Sequence, residues 1–391
     1  MTFDLHTAEA IPERARAEIE QILNSGDLFR YHSENSPVTL LEQEFAKMMG
    51  AKYALAVASC SAAIFLSLRA LELPKGAKVL IPGFTFAAVP SSVVHAELTP
   101  VLVDVAENYR MDMADFEAKL TGEIKAVVVS HMRGHTSDMD KIMALCDAKN
   151  IPVLEDAAHS LGTTWNGQKI GTIGKIGCFS FQSYKLLNAG EGGILITDDE
   201  DIIARTIIMS GAYETNWQKH GMDAGTFGKY QNKLPLYNTR LSNLSAILVR
   251  AQLAEVERRA KDGLRNHDAL AEKIATHSSL EVPTPLEPEH RAPDSIQFNL
   301  VDFSDAEAKA FTSACKEAGI GVSIFGMQSG NARAFWNWQF LEGTPELPQT
   351  RAMLMRACDL RLPARLTLDE VGQIGDLILS SLEKAKTRQA A

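Results

Sequence analysis

The sequence predicts an α/β protein in which a large domain with a mostly parallel sheet precedes a smaller C-terminal α+β domain. The chain has 391 residues, and at about 150 residues per domain this length indicates two to three domains. Short apolar runs alternate with longer intervals in the first part of the chain, and the pattern changes after Ser242. These three observations determine the expected fold class.

Four apolar, β-branched runs indicate the strands of the large domain. They occupy residues 78–82, 100–104, 125–130 and 152–156. Each interval leaves room for a helix, and nearly continuous apolarity is typical of strands in a parallel sheet that is covered on both faces. Asp138 stands before an amphipathic stretch in one interval, where it can cap a helix.

The second part of the chain has a different pattern. A long helical stretch at residues 243–273 resembles a connector, and it is followed by a predicted strand at 295–301 and predicted helices near 305–318 and 367–385. A smaller α+β domain fits this order of elements. The expected division is an N-terminal segment (1–30), a large domain (31–245), and a connector helix with the small domain (246–391).

Composition and charge exclude several classes of protein. Hydrophobic residues make up 46% of the chain and charged residues 23%. These are ordinary globular values, so long disorder, collagen-like repeats and coiled coils are poor interpretations. The formal charge of -10 leaves no basic footprint for nucleic acid. No uncharged apolar run reaches the length of about 18 residues that a membrane span needs. We therefore expect a small-molecule partner, and neither nucleic acid nor a membrane.

The cysteines indicate a reducing compartment. The five cysteines are widely spread and never form a CxxC pair, so neither a disulfide framework nor a metal site is indicated. The first residues lack the basic start and the apolar stretch of a secretory signal. We therefore expect a cytoplasmic protein without a bound metal.

Three polar clusters follow predicted strands, where open α/β sheets bind their ligands. In the first, Asp156 ends a strand and His159 comes three residues later. In the second, Lys185 stands between an apolar strand and a glycine-rich turn at 190–193. The third is a small, hydroxyl-rich turn at 58–61 that opens a helix, and free amides at such a helix start can hold a phosphate.

An aspartate, a lysine and a phosphate cradle together indicate pyridoxal 5'-phosphate (PLP). A lysine can form a Schiff base with the cofactor's aldehyde, and an aspartate can keep the pyridine nitrogen protonated so that the ring acts as an electron sink. Asp156, Lys185 and the turn at 58–61 supply these parts.

With these motifs the chain resembles the DegT/StrS family of PLP-dependent sugar aminotransferases, which have fold type I. The likeness runs from a helix at 41–46 to about Leu253 and is looser beyond it. The resemblance implies that the large domain has a seven-stranded, mostly parallel sheet flanked by helices. Its motifs are Phe84-Thr85-Phe86, Gly134 with Asp138-Met139-Asp140, Glu155-Asp156-Ala157-Ala158-His159, Phe179-Ser180-Phe181 with Lys185, Glu191-Gly192-Gly193, and Asn238-Thr239-Arg240.

The resemblance also implies roles for single residues. Lys185 would be the Schiff-base lysine and would move the proton of the 1,3-shift, and Asp156 would pair with the pyridinium nitrogen. His159 would lie near the ring hydroxyl, and Phe86 would stack on the ring. Asn238 would reach the phosphate of the neighbouring subunit's cofactor, which implies a homodimer with shared active sites. The phosphate contacts would come from Ser59, Cys60, Ser61 and Ser180.

Some positions depart from the family pattern. The helix-opening turn usually reads Asn-Gly-Thr, whereas this chain has Ser59-Cys60-Ser61. Arg133 stands near the expected mouth of the site, where it is either a clamp for a carboxylate or phosphate or part of a structural ion pair. Arg30 and Tyr31 replace a glycine-containing segment and are further candidates for binding an acidic or phosphorylated ketosugar. The segment 331–338 interleaves aromatic residues with an arginine, and we expect it to pack the small domain or line the mouth.

The resemblance implies an aminotransferase of amino-sugar biosynthesis. It would move an amino group from L-glutamate or L-glutamine to a ketosugar that is nucleotide-linked, phosphorylated or acidic. One alternative is a PLP-dependent sugar dehydratase, but dehydratases that resemble this family have His in place of the Schiff-base lysine, so Lys185 argues against it. Another is a PLP-fold regulatory protein without turnover. Such a regulator would be expected to carry a DNA-binding appendage, and the N-terminal segment has no helix-turn-helix pattern.

Overall fold

The fold is built on a central sheet with helices on both faces. The computed structural model describes the backbone of residues 3–390 and the side chains of residues 3–386. The strands of this described part are β1 (Tyr53–Val57), β2 (Lys78–Pro82), β3 (Thr99–Val103), β4 (Ile124–Ser130), β5 (Val153–Asp156), β6 (Thr164–Trp165), β7 (Gln168–Lys169), β8 (Ile176–Ser180), β9 (Gly193–Thr197), β10 (Leu280–Glu281), β11 (Glu289–His290), β12 (Ser295–Leu300), β13 (Ser323–Ile324) and β14 (Ala357–Arg361). Its α-helices are α1 (Ala15–Ser25), α2 (Pro37–Met49), α3 (Cys60–Ala70), α4 (Ala88–His95), α5 (Met113–Lys119), α6 (Met139–Asp147), α7 (Glu200–Gly211), α8 (Ala224–Gly228), α9 (Asn243–Arg250), α10 (Val256–Ile274), α11 (Asp305–Glu317), α12 (Pro348–Leu354) and α13 (Leu368–Ala390).

The central sheet of the described residues has seven strands in the order β1-β9-β8-β5-β4-β2-β3. Strands β3, β2, β4, β5 and β8 are parallel, while β9 is antiparallel to both of its neighbours. The prediction of a mostly parallel, seven-stranded sheet is therefore confirmed. Each of the four apolar runs forms a strand, β2 to β5, within one residue of the predicted limits.

Both faces of this sheet are buried, which explains the continuous apolarity of its strands. In β4, Ala126 and Val128 belong to one apolar cluster, whereas Val127 and Val129 belong to the other. Helices α3, α4 and α7 contribute to the first cluster, and α2, α5 and α6 contribute to the second. Burying such a valine contributes about 1.5–3 kcal/mol, so a polar residue on either face would be costly.

The C-terminal part forms a second, antiparallel sheet in the order β10-β12-β14-β13. Helices α10, α11 and α13 pack on it around a separate apolar cluster, which includes Phe298 and Phe311. Leu5, from the N-terminal segment, is buried in the same cluster. The α+β character predicted for this part is what the structure has. None of the helices in the described range combines the length and apolarity needed to cross a membrane.

The predicted connector helix differs from the structure, because the stretch 243–273 is broken into α9, a 3-10 turn at Leu253–Glu255, and α10. Buried Gln252 lies at the break, and its amide donates to the carbonyls of Leu248 and Asn188, each at 2.7 Å. The helical periodicity of the sequence does not reveal that Gln252 bonds to Asn188, a residue outside the helical stretch. The break therefore ties the helical connector to the loop that follows Lys185.

Candidate active site

A cavity of about 640 Å³ opens at the edge of the central sheet where β4, β5 and β8 end. Because β9 runs in the opposite direction, it begins at this edge with Gly193. Strand β1 ends there as well and leads into α3. Nine of the predicted site residues line the cavity: Ser59, Cys60, Ser61, Phe86, Arg133, Asp156, His159, Ser180 and Lys185.

Lys185 and His159 form the centre of this cavity. The Lys185 Nζ lies 2.7 Å from the Nε2 of His159. Burial lowers the pKa of Lys185 to about 8, and Arg133 acts in the same direction against the opposing charge of Asp294. Burial and then the charge of Lys185 hold the pKa of His159 well below its usual range. The imidazole is therefore neutral and can accept a hydrogen bond from the lysine.

The loop that carries Lys185 is anchored on both sides. The Lys185 amide donates to the carbonyl of Gln182 at 2.8 Å. After the lysine, Arg259 donates to the carbonyl of Leu186 at 2.7 Å, and Gln252 accepts from the amide of Asn188 at 3.2 Å. The nitrogen of Lys185 is thus directed into the cavity by backbone contacts outside it.

Asp156 presents a fixed carboxylate at the end of β5. Its Oδ2 accepts from the Ser130 hydroxyl at 2.7 Å, and Ser130 in turn accepts from Thr85 at 2.8 Å. Its Oδ1 accepts from the amide of Ala158 at 3.2 Å. Ser130 and Thr85 were not among the site residues predicted from the sequence. The signals that could have identified them were the polar end of the β4 run and the threonine within the Phe84-Thr85-Phe86 motif.

The neighbouring Glu155 points to the other side of β5 and holds the strand in place. Its carboxylate accepts from the backbone amides of Gly171, Ile173 and Gly174, at 2.6–2.8 Å. The Nε2 of His131 lies 3.2 Å from Glu155 Oε2. A buried carboxylate needs such partners, and this network fixes the strand end that carries Asp156.

Helix α3 begins at the cavity wall. The hydroxyl and carbonyl of Ser59 accept from the amides of Ala62 and Ala63, each at 3.1 Å. The amides of Cys60 and Ser61 precede these and have no acceptor within a helix, and both residues line the cavity. The cysteine is not a nucleophile in this setting, because burial and then Asp156 raise the pKa of its thiol well above the usual range.

The start of α3 lies directly against Gly193. A Cβ atom built on this glycine would lie 2.4 Å from the Cys60 nitrogen and 2.4 Å from the Ser59 carbonyl carbon. Only glycine allows this close approach of two backbones. The glycine motif after Lys185 thus has a steric role: it lets the first turn of α3 lie beside the strand ends.

Three arginines lie at the mouth of the cavity, and the C-terminal sheet contributes to it. Arg133 pairs with Asp359 of β14. The guanidinium carbon of Arg333 lies 5.6 Å from the ring centroid of Phe86, and that of Arg361 lies 4.9 Å from the ring of Tyr184. Arg361 was not among the site residues predicted from the sequence. The segment that contains Arg333 was predicted either to pack the small domain or to line the mouth.

The remaining three predicted site residues do not line the cavity. Arg30 is buried and bonds both oxygens of Glu42 through its terminal nitrogens, and the Tyr31 hydroxyl lies 3.0 Å from His220 Nε2. Arg30 thus links the N-terminal segment to α2, and Tyr31 links it to the turn at Asn216–His220. Neither side chain lines the cavity. Asn238 is exposed and has a left-handed backbone, with φ of 52°.

Comparisons with known proteins identify the family and the relatives of this chain. The sequence model of the DegT/DnrJ/EryC1/StrS aminotransferase family matches residues 9–379. The chain is 37% identical over 243 residues to the spore coat polysaccharide biosynthesis protein SpsC of Bacillus subtilis, covering 61% of each chain. It is 36% identical over 214 residues to the UDP-N-acetyl-3-dehydro-alpha-D-glucosamine 3-aminotransferase of Acidithiobacillus ferrooxidans, covering 54% of this chain and 55% of that one. The matches thus span less than two thirds of these curated relatives.

Solved structures show the same fold. The aminotransferase from Psychrobacter cryohalolentis superposes with a TM-score of 0.86 at 24% sequence identity, over 97% of this chain and 99% of the other. This likeness confirms the predicted fold class. The match of the family model over nearly the whole chain settles the wider assignment: the chain belongs to the DegT/DnrJ/EryC1/StrS aminotransferase family.

Proposed function

We propose that this protein is a PLP-dependent aminotransferase that transfers an amino group from an amino acid, L-glutamate or L-glutamine, to a ketosugar in amino-sugar biosynthesis. One observation carries the proposal: Lys185, Asp156 and the start of α3 surround a single cavity. The family membership supports the reaction, and the relatives named for a polysaccharide pathway and a dehydro sugar support the ketosugar acceptor.

The residues of the cavity fit the cofactor. Bound PLP would supply an aldehyde and a ring that withdraws electrons from the reacting carbon. Asp156 would hold the protonated ring nitrogen, because its carboxylate is already oriented by Ser130. Phe86, 45% exposed in the cavity wall, would stack on the ring, and His159 would lie near the ring hydroxyl. The phosphate would be bound by Ser59, Cys60, Ser61 and Ser180.

Free amides at a helix start suit the phosphate because their partial positive charge faces the anion. After Ser59, the amides of Cys60 and Ser61 come before the first hydrogen bonds of the helix, and Gly193 lies against the Cys60 nitrogen. The departure from Asn-Gly-Thr therefore leaves the backbone contribution intact, since the contacts come from the main chain.

Lys185 would act both as the nucleophile and as the proton carrier of the reaction. With a pKa of about 8, about one molecule in ten carries a neutral Nζ at pH 7, and a neutral amine is the nucleophilic form. The same nitrogen would take the proton from the substrate carbon and deliver it to the other end of the 1,3-shift, two atoms away. His159 would keep Nζ in place by accepting its hydrogen bond, because the imidazole is neutral. The lysine favours this reaction over the dehydratase alternative, which has a histidine at that position.

We further propose a cytoplasmic homodimer with shared active sites. Asn238 is exposed and lies outside the cavity of its own chain, as a residue that serves a neighbouring site would. Arg240 is close to two exposed rings, with its guanidinium 5.4 Å from Phe29 and 5.0 Å from Tyr213. An apolar surface of this kind next to Asn238 supports an interface. The five cysteines are free, buried thiols, which suits a reducing compartment.

The dimer can be tested at this surface. Sedimentation velocity of the wild-type protein is expected to give twice the chain mass of 42.7 kDa. Tyr213→Glu would place a charge in the interface and shift the equilibrium towards monomer by about tenfold or more. Leu368→Glu, at another exposed apolar residue, is the matched control and should leave the dimer intact. A monomeric wild type would refute the shared site.

The reaction can be tested at Lys185. Adding L-glutamate to the PLP-loaded enzyme should replace the long-wavelength cofactor band with a shorter-wavelength one, as the amino group passes to the cofactor. Lys185→Ala should slow this change about 1,000-fold or more, because both the nucleophile and the proton carrier are lost. Lys175→Ala removes a surface lysine paired with Asp199 and should behave as wild type. No change in wild type with L-glutamate or L-glutamine would contradict the proposed reaction.

The lowered pKa of Lys185 predicts a pH dependence. The rate at which apoprotein takes up PLP requires neutral Nζ, and the neutral fraction rises as the pH passes about 8. The rate should therefore climb about tenfold per unit below this value and level off above it. Stopped-flow absorbance measures the rate, with Nα-acetyl-lysine as the control amine. A climb that continues towards the ordinary lysine value of 10.5 would show that burial does not activate Lys185.

The steric role of Gly193 can be tested through cofactor affinity. Gly193→Ala would place a methyl group against the Cys60 nitrogen and move the start of α3. Loss of the two amide contacts should weaken PLP binding by about tenfold or more. Titration of apoprotein with PLP measures the dissociation constant. Gly122→Ala, whose Cβ meets no atom within 4 Å, is the control, and equal affinities of the two variants would refute the role.

A further inference from the structure

Two cations that line the cavity, Arg333 and Arg361, form no ion pair with a carboxylate among the described residues. The Nε of Arg333 is buried without a hydrogen-bond partner among the described residues. Its guanidinium carbon lies 5.6 Å from the ring of Phe86 and 5.9 Å from that of Phe325. Aromatic faces attract a cation but do not neutralise it. The protein therefore keeps a positive charge partly desolvated and directed towards the cavity that it lines.

The other two arginines that line the cavity, Arg133 and Arg361, differ in their bonding partners. Arg133 is paired with Asp359, whose second oxygen accepts from Gln297 at 2.9 Å. Arg361 lies over the Tyr184 ring and makes one long bond, of 3.4 Å, to the carbonyl of that residue. Its Nε has no partner among the described residues. The Nε of Arg133 lacks a partner as well, but the charge of Arg133 is paired with a carboxylate. Arg333 and Arg361 have unpartnered donors and form no ion pair with a carboxylate among the described residues.

These charges act at the reacting centre. The positive charges of Arg133, Arg333 and Arg361 all contribute to the lowered pKa of His159, which contacts Lys185. Burial, then Arg133, lowers the pKa of Arg333 to about 10, with Asp359 opposing. The acidic residues that line the same cavity are Asp156, Glu191 and Asp359. Of these, Asp156 accepts a hydrogen bond from Ser130 at the sheet edge, and Asp359 forms an ion pair with Arg133.

We propose that Arg333 and Arg361 form an oxyanion subsite that binds a carboxylate or phosphate group of the reacting substrate. Two planar guanidinium groups with free donors match the geometry of such an oxyanion. The contact of Arg333 with Phe86 puts the subsite beside the ring on which we propose that the cofactor stacks. The inference rests on the proposed function and narrows its substrates to those with an anionic group close to the reacting carbon. That group belongs either to the amino donor or to the acceptor, which occupy the cavity in turn.

Two measurements on PLP-loaded enzyme separate these sources. The first is the L-glutamate concentration that half-converts the cofactor band, and the second is the affinity for inorganic phosphate by calorimetry. PLP occupies the phosphate site at α3 in both, so added phosphate reports on other anion sites. Arg333→Gln should raise the half-converting L-glutamate concentration, lower the affinity for phosphate, or do both, by about tenfold or more. Arg333→Lys keeps the positive charge but lacks the planar guanidinium, so it should lose less anion affinity than Arg333→Gln.

A matched control variant separates the loss of anion binding from the loss of an arginine–aromatic contact. Arg351 also lies over aromatic rings, 4.4 Å from that of Trp336, but it does not line the cavity. Arg351→Gln should leave both measurements unchanged. Thermal melting of every variant identifies any that fail to fold, and Arg333→Lys then carries the test.

The outcomes separate the inference from the proposed function. A weaker L-glutamate response in Arg333→Gln assigns the oxyanion to the donor, and weaker phosphate binding alone assigns it to the acceptor. Either result supports the subsite. Unchanged values in both measurements for a folded Arg333→Gln, or a wild type that shows neither response, would overturn it. If no amino acid converts the cofactor band while phosphate binding still depends on Arg333, the proposed reaction fails and the anion subsite stands.

Discussion

The close contact between the start of α3 and Gly193 is the constraint on which the cavity depends. Strand β9 reverses direction within the sheet, so its first residue lies at the edge where the parallel strands end. Residue Val57 of β1 pairs with this glycine and leads into the helix. Without a Cβ at Gly193, the backbone of Cys60 can lie against the sheet edge. The start of α3, which we propose binds the phosphate, and the carboxylate of Asp156 consequently line the same cavity.

Burial supplies the reactivity of the site. Lys185 has a lowered pKa because its charge is partly desolvated, and His159 is neutral for the same reason. These costs are offset outside the cavity, where Gln252 and Arg259 anchor the lysine loop. Glu155 holds the end of β5 in place by accepting hydrogen bonds from the amides of Ile173 and Gly174. The site is therefore preorganised by buried polar contacts on the far side of the residues that face the substrate, as electrostatic stabilisation requires.

The parts of this arrangement that follow from local patterns could be predicted from the sequence. The β4 and β5 runs and the end position of Asp156 follow from apolar periodicity, and the ends of parallel strands meet at one edge. The mouth could not be predicted in this way. Arg133 and Asp359 pair across 226 positions of sequence, and the contact of Arg361 with Tyr184 spans 177. Buried Gln252 lies at a break in a stretch whose periodicity predicts one continuous helix. Arg30, a candidate for substrate binding in the sequence, is buried in an ion pair with Glu42.

We propose that the Nζ of Lys185 binds the cofactor covalently in this cavity. Borohydride reduction of the PLP-loaded enzyme, followed by digestion and peptide mass spectrometry, tests this directly, because reduction makes the bond between the lysine and the cofactor permanent. We expect the peptide containing Lys185 to carry the pyridoxyl group and the other lysine peptides to remain unmodified. A pyridoxyl group on a different lysine, or on none after saturation with PLP, would contradict it.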